Sequence, residues 1–101
     1  MAHFIVLVDD ATVAQQNAIT ESFRGKPQGY WHYFSDAWLM VDPTNSWTVE
    51  KLRDHLRIVV PGATTLVLPI DRPSVWAGFG QTDHFKWLND GFTIFNQFEK
   101  R

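Results

Sequence analysis

The chain contains no cysteine. Disulfide frameworks and thiolate metal sites are therefore excluded, and the composition fits a reducing compartment such as the cytoplasm. A basic balance is missing too. Nine Lys and Arg stand against eleven Asp and Glu, a net charge of −2, so no strong positive field advertises nucleic-acid binding. No apolar run approaches the roughly 20 residues that a membrane helix needs. The opening MAHFIVLVDD has no basic stretch before its two acids, so no signal peptide is expected. Glycine and proline number only six and five. Gly78 and Gly80, in WAGFG, read as turn residues, and no Walker loop, GxGxxG, nucleophile elbow or zinc pattern occurs. His3, His32, His55 and His84 are scattered without ligand-type spacing. There is no internal repeat, linker or low-complexity tract.

Aromatic residues are abundant instead. They make up 15% of 101 residues and include five Trp. Each buries a large area, which suits both a compact core and a surface that covers a partner. The length fits one domain with a single modest core.

The punctuation of the chain predicts six elements. Phe4 to Val8 is an unbroken apolar run ended by Asp9 and Asp10, the mark of a strand buried on both faces. A helix follows, with Ala14, Ala18, Ile19 and Phe23 on its inner face, capped by Asp9, Asp10 or Thr12 and ended by Gly25 and Pro27. Gly29 to Phe34 and Ala37 to Val41 form a hairpin turning at Ser35-Asp36. After Asp42-Pro43, Thr48 caps a second helix, with Trp47 and Leu52 at the spacing of a hydrophobic staple. Leu52 and Leu56 face inward, and His55 reads as exposed beside the charged face. Pro61-Gly62 turns into a fourth strand, Thr65 to Ile70, and Pro69 assigns it to an edge. The order β-α-β-β-α-β predicts an α+β, ferredoxin-like sandwich with strand order 4-1-3-2. Residues 1–71 form the core, and 72–101 an aromatic C-terminal extension.

A regular hairpin pairs Tyr33 with Trp38 and Trp31 with Met40. Alternation then places Tyr30, His32, Phe34, Ala37, Leu39 and Val41 on one face and Trp31, Tyr33, Trp38 and Met40 on the other. The smaller aliphatics suit the space under the helices, so the Trp-Tyr-Trp-Met face is expected to be the open one. Such an apolar face calls for a cover. The candidates are the extension with Trp76, Phe79 and Trp87, a second subunit, or stacked bases. The strands offer no basic residues for bases, which favours protein.

The same topology gathers Asp9, Asp10, Ser35 and Asp36 at one rim of the sheet. Clustered carboxylates suit Mg²⁺, which takes hard oxygen ligands and can activate water or stabilise charge on phosphate. They equally suit helix capping and a polar hairpin tip.

The opening Met-Ala-x-Phe strand ending in Asp9, the stretch WHYFSDAWLMVDPTNSWTVEKLRDHL, and LVLPIDRPSVWAGFG followed by KWL resemble the SinR-type relatives of the second CRISPR-associated protein. The similarity runs in matching order over most of the chain, although each motif is short. It implies a ferredoxin-like homodimer whose sheet faces meet across a two-fold. It also implies Mg²⁺-dependent cleavage of RNA or DNA, with Asp9 of each subunit at the metal and Asp10, Ser35 or Asp36 assisting. Arg24, Lys26, Arg53 and Arg57 would contact phosphate. The sequence departs from that group at Val8-Asp9-Asp10, where Tyr-Asp-Leu is common, and in having no arginine close after Asp9. The competing expectation is a non-catalytic, antitoxin-like module that binds a protein partner.

Overall fold

The computed structural model describes residues 2–26, 28–70 and 79. The first apolar run forms β1 (Ala2–Val8) in the interior of the sheet, where neighbours on both sides satisfy its backbone. Helix α1 (Val13–Phe23) starts at Thr12. The Thr12 hydroxyl accepts from Gln15 N at 3.0 Å, and Gln15 Oε1 accepts from Thr12 N at 2.9 Å. This reciprocal capping box leaves Asp9 and Asp10 no capping role. Gly25, at φ +79°, follows the helix in a conformation that L side chains rarely adopt. Ile19 and Phe23 are buried and Ala18 packs against the core, but Ala14 is exposed. At 3.6 residues per turn Ala14 points about 140° from Ile19 and about 180° from Phe23.

Strands β2 (Gly29–Phe34) and β3 (Ala37–Asp42) form the hairpin, α2 (Val49–Val59) the second helix, and β4 (Thr65–Ile70) the last strand. Thr48 Oγ1 accepts from Lys51 N at 3.1 Å at the start of α2, and Trp47 packs on the cluster that holds Leu52. The strands run antiparallel in the order β2-β3-β1-β4, with β4 and its Pro69 at an edge. Phe4, Val6 and Val8 of β1 and Trp38 and Met40 of β3 meet Ile19 and Phe23 of α1 and Leu52 and Leu56 of α2. Both helices therefore cover one sheet face. This α+β layout is compatible with a ferredoxin-like fold.

The hairpin differs from the regular pairing in one respect that changes its faces. Phe34 pairs with Ala37, but Trp31 pairs with Leu39 and Tyr30 with Met40. Between them β2 carries one residue more than β3, a bulge at His32 and Tyr33. One extra residue inverts every side chain beyond it relative to the partner strand. Trp38 and Met40, expected on the open face, are fully buried beneath the helices, opposite Val6 and Phe4 of β1, and the bulge separates Trp31 from their face. His32 stacks on Trp38 with ring centroids 3.8 Å apart. Leu39 and Val41, expected beneath the helices, lie with Trp31 and Ile70 on the opposite face.

On that opposite face the register sets Leu7 beside Leu66 and Ala37, Ile5 beside Leu68 and Leu39, and His3 beside Ile70 and Val41. One part is buried, including Trp31, Val41 and His3. The rest is not: Leu7 is 37% exposed, Leu68 42% and Leu66 52%. Tyr33 and Phe34, both exposed, set their rings edge-on against Trp31. Phe79, expected to pack on the sheet or on a second subunit, is fully exposed in the single chain. Trp76 and Trp87, with the remainder of 72–101, lie outside the described residues.

Candidate functional site

The rim of the sheet is assembled by backbone hydrogen bonds where β1 ends. Val8 N donates to Asp36 O at 2.8 Å and Asp9 N to Thr64 O at 2.9 Å, which ties the hairpin tip and the entry to β4 around the end of β1. Asp10 then adopts φ +50°, a left-handed conformation that aspartate tolerates better than most residues. Just beyond it, Ala11 N donates to Asp36 Oδ1 at 3.1 Å. Asp9 and Asp36 thereby line one open hollow of about 290 Å³ with Leu7, Val8, Thr64, Thr65 and Leu66.

Two of the expected carboxylates are thus brought to one cavity. Asp10 sits in the adjoining turn, and neither Asp10 nor Ser35 lines the hollow. One oxygen of Asp36 is engaged by Ala11, whereas the Asp9 carboxylate has no hydrogen bond among the described residues. Among those residues no three His, Asp or Glu side chains come together in a metal-ligating group.

The expected phosphate contacts are organised differently. Arg24 Nη2 lies 2.9 Å from Glu21 and Arg53 Nη2 2.9 Å from Asp54, with Arg57 Nη1 4.0 Å from the same Asp54. The Arg53 guanidinium donates to Asp54 and holds its carboxyl below the usual carboxylate range. The helices therefore present mixed charge, with each arginine beside an acid of its own helix, and not a cationic face. Lys26 carries no ion pair among the described residues, and its charge is felt at His55.

His32 is half-buried and hydrogen-bonded through both ring nitrogens. Its Nδ1 lies 2.9 Å from Ala37 O and its Nε2 3.2 Å from Gln16 Oε1. His55 is not the exposed residue expected. It is half-buried in the seam between the helices, its Nε2 2.9 Å from Ser22 Oγ. Its ring centroid lies 5.1 Å from that of Phe23 and 5.2 Å from that of Trp47. The spacing Leu52, His55, Leu56 is an i, i+3, i+4 stripe, a signal that could have placed it inward. Asp42, for which the sequence suggested no role, is fully buried and fully hydrogen-bonded.

Fold and site together define a small α+β protein: a four-stranded antiparallel sheet, two helices on one face, and an acid-edged hollow at the end of the central strand β1. No family model, curated protein or solved structure matches the chain. No helix among the described residues is long and apolar enough to cross a membrane.

Proposed function

We propose that the protein is a small interaction module that docks protein on the sheet face away from its helices. A cytoplasmic setting and self-association as a homodimer are part of this reading. The observation that carries it is the exposed apolar corner of that face, Leu7, Leu66 and Leu68 with Tyr33 and Phe34 at the hairpin end. Contiguous exposed apolar residues of this kind mark association surfaces more often than isolated ones do. The mixed charge of the helices supports the same reading, since it offers no continuous track for phosphates.

Two measurements test it. Sedimentation of the purified chain reports docking of a second copy. Titration with a fluorescent extended peptide of alternating leucine and serine reports docking of another protein. At least one signal is expected in the wild type and lost in Leu66→Ser/Leu68→Ser. Absence of both signals, or their survival in the double variant, overturns the reading.

A second reading is favoured by a specific observation, the presence of Asp9 and Asp36 in one hollow. In this proposal, which follows the resemblance to SinR-type relatives of the second CRISPR-associated protein, the dimer is a Mg²⁺-dependent ribonuclease or deoxyribonuclease. The donor chemistry fits Mg²⁺ in part: both side chains offer hard oxygens, but Ala11 N already occupies one of them. One chain supplies too few ligands, so Asp9 of a second copy would have to complete the site. Bound there, the ion would activate water. Incubation with RNA and DNA, with Mg²⁺ or with chelator, should then show metal-dependent cleavage that Asp9→Asn abolishes. Cleavage unchanged in that variant removes this mechanism.

A further inference from the structure

We propose that the hollow at the rim receives a lysine or arginine side chain from an apolar segment of a partner protein lying along the Leu66 and Leu68 strip. The inference rests on the docking reading and adds the chemistry of the partner. Leu7 and Leu66, with Val8, Thr64 and Thr65, line the hollow, and the charged residues among its described lining are Asp9 and Asp36. No cation lines it. Lysine and arginine fit such a site because their methylene stems bury against apolar walls while the charged head stays at a polar mouth. Asp9, whose carboxylate has no hydrogen bond among the described residues, is the acceptor this proposal assigns to that head.

Size and charge narrow the occupant further. About 290 Å³ lies at the small end of ligand-site volumes, which suits one side chain better than a cofactor. Asp10, in the turn beside the hollow, adds a third negative charge to the rim, so the local field opposes phosphate and carboxylate groups. Leu7 and Leu66 are shared between the hollow and the exposed strip. A segment with apolar residues next to a basic one therefore engages both features in a single contact. A second copy of this chain would bring its own rim acids to the hollow, so the basic side chain that fills it comes from a different protein, and self-association on this face leaves the hollow to that partner.

The test compares three fluorescent extended peptides, alternating leucine with arginine, with serine or with glutamate, titrated against the full chain by anisotropy. The arginine peptide is expected to bind about tenfold tighter than the glutamate peptide, with the gap closing as salt is raised. In Asp9→Asn/Asp36→Asn that preference should vanish. The Asp36→Asn change is compatible with the loop as it stands, because an amide oxygen can still accept from Ala11 N. Thermal melting of the variant establishes that it is folded. Glu21→Gln/Asp54→Asn, which alters net charge equally, should leave the preference intact. Equal binding of the arginine and glutamate peptides overturns the inference, as does a preference that survives Asp9→Asn/Asp36→Asn or is lost equally in Glu21→Gln/Asp54→Asn. If all three peptides bind equally and lose affinity in Leu66→Ser/Leu68→Ser, the docking reading stands and the cationic partner falls. Self-association that Asp9→Asn/Asp36→Asn leaves unchanged, with no arginine preference, likewise overturns it.

Discussion

At Asp42 a carboxylate buried from solvent holds the loop that launches α2. Oδ1 accepts from Gln28 Nε2 at 3.2 Å, Thr44 N at 3.1 Å and Thr44 Oγ1 at 2.7 Å, and Oδ2 accepts from Trp47 N at 2.8 Å. Burial alone pushes the carboxyl pKa up, but the hydrogen bonds from Thr44, Trp47 and Gln28 together pull it further down, to below its ordinary 3.8. A lowered folded pKa means stability that is fully present above 3.8 and is lost as pH falls through the folded value. Asp42→Asn keeps the shape but turns an amide toward one of these donors, and is expected to cost about 1–3 kcal/mol at pH 7. Urea midpoints at pH 7 and near pH 3 check this: the variant should lose less stability on acidification than the wild type. The break at Asp42-Pro43 between the hairpin and the second helix was legible in the sequence, but the anchoring role of Asp42 was not. Nor was its partner Gln28, because a contact across fourteen residues leaves no local pattern.

Among the elements, the seam between α1 and α2 is where a sequence expectation failed for a physical reason. Charged neighbours on α2 suggested an outward His55, yet the ring lies against Phe23 and Trp47 and bonds Ser22, whose hydroxyl also donates to Ile19 O at 2.6 Å. Burial and then the charge of Lys26 lower the His55 pKa below 6.5. The unfolded chain takes up the proton first, so stability is complete above pH 6.5 and declines as pH falls from there through the folded pKa. His55→Phe, which keeps an aromatic ring in the seam, should remove this part of the decline below pH 6.5. Chemical unfolding across that range measures it; an unchanged slope refutes the role given to His55. The hairpin shows a different limit. Its tip at Ser35-Asp36 was readable from turn chemistry, but the bulge was not. With apolar residues on both faces of β2 and β3, alternation carries no information about which face is in.

On the scale of the whole molecule, the order of elements and the strand order followed from punctuation: an apolar run closed by acids, Thr48 before α2, and Pro69 on an edge strand. Half of the candidate site was legible in the same way. Strand topology alone brings the end of β1 to the hairpin tip, where Asp9 and Asp36 meet, while the apolar walls from Leu7 and Leu66 depend on register. The result is a sheet with unequal faces. Trp38, Met40, Phe4 and Val6 face the helices and are almost wholly buried, whereas Leu66 and Leu68 are about half exposed on the other side. Stability and association should therefore separate by mutation. Trp38→Ala opens a large cavity between sheet and helices and is expected to cost about 3–5 kcal/mol, a large share of the about 5–15 kcal/mol that holds a small domain together. Leu66→Ser/Leu68→Ser removes side chains that are already partly in water, so its cost in a urea titration should be well under that of Trp38→Ala. A double variant as destabilised as Trp38→Ala would mean that the strip is packed interior, and the association surface would have to be sought elsewhere.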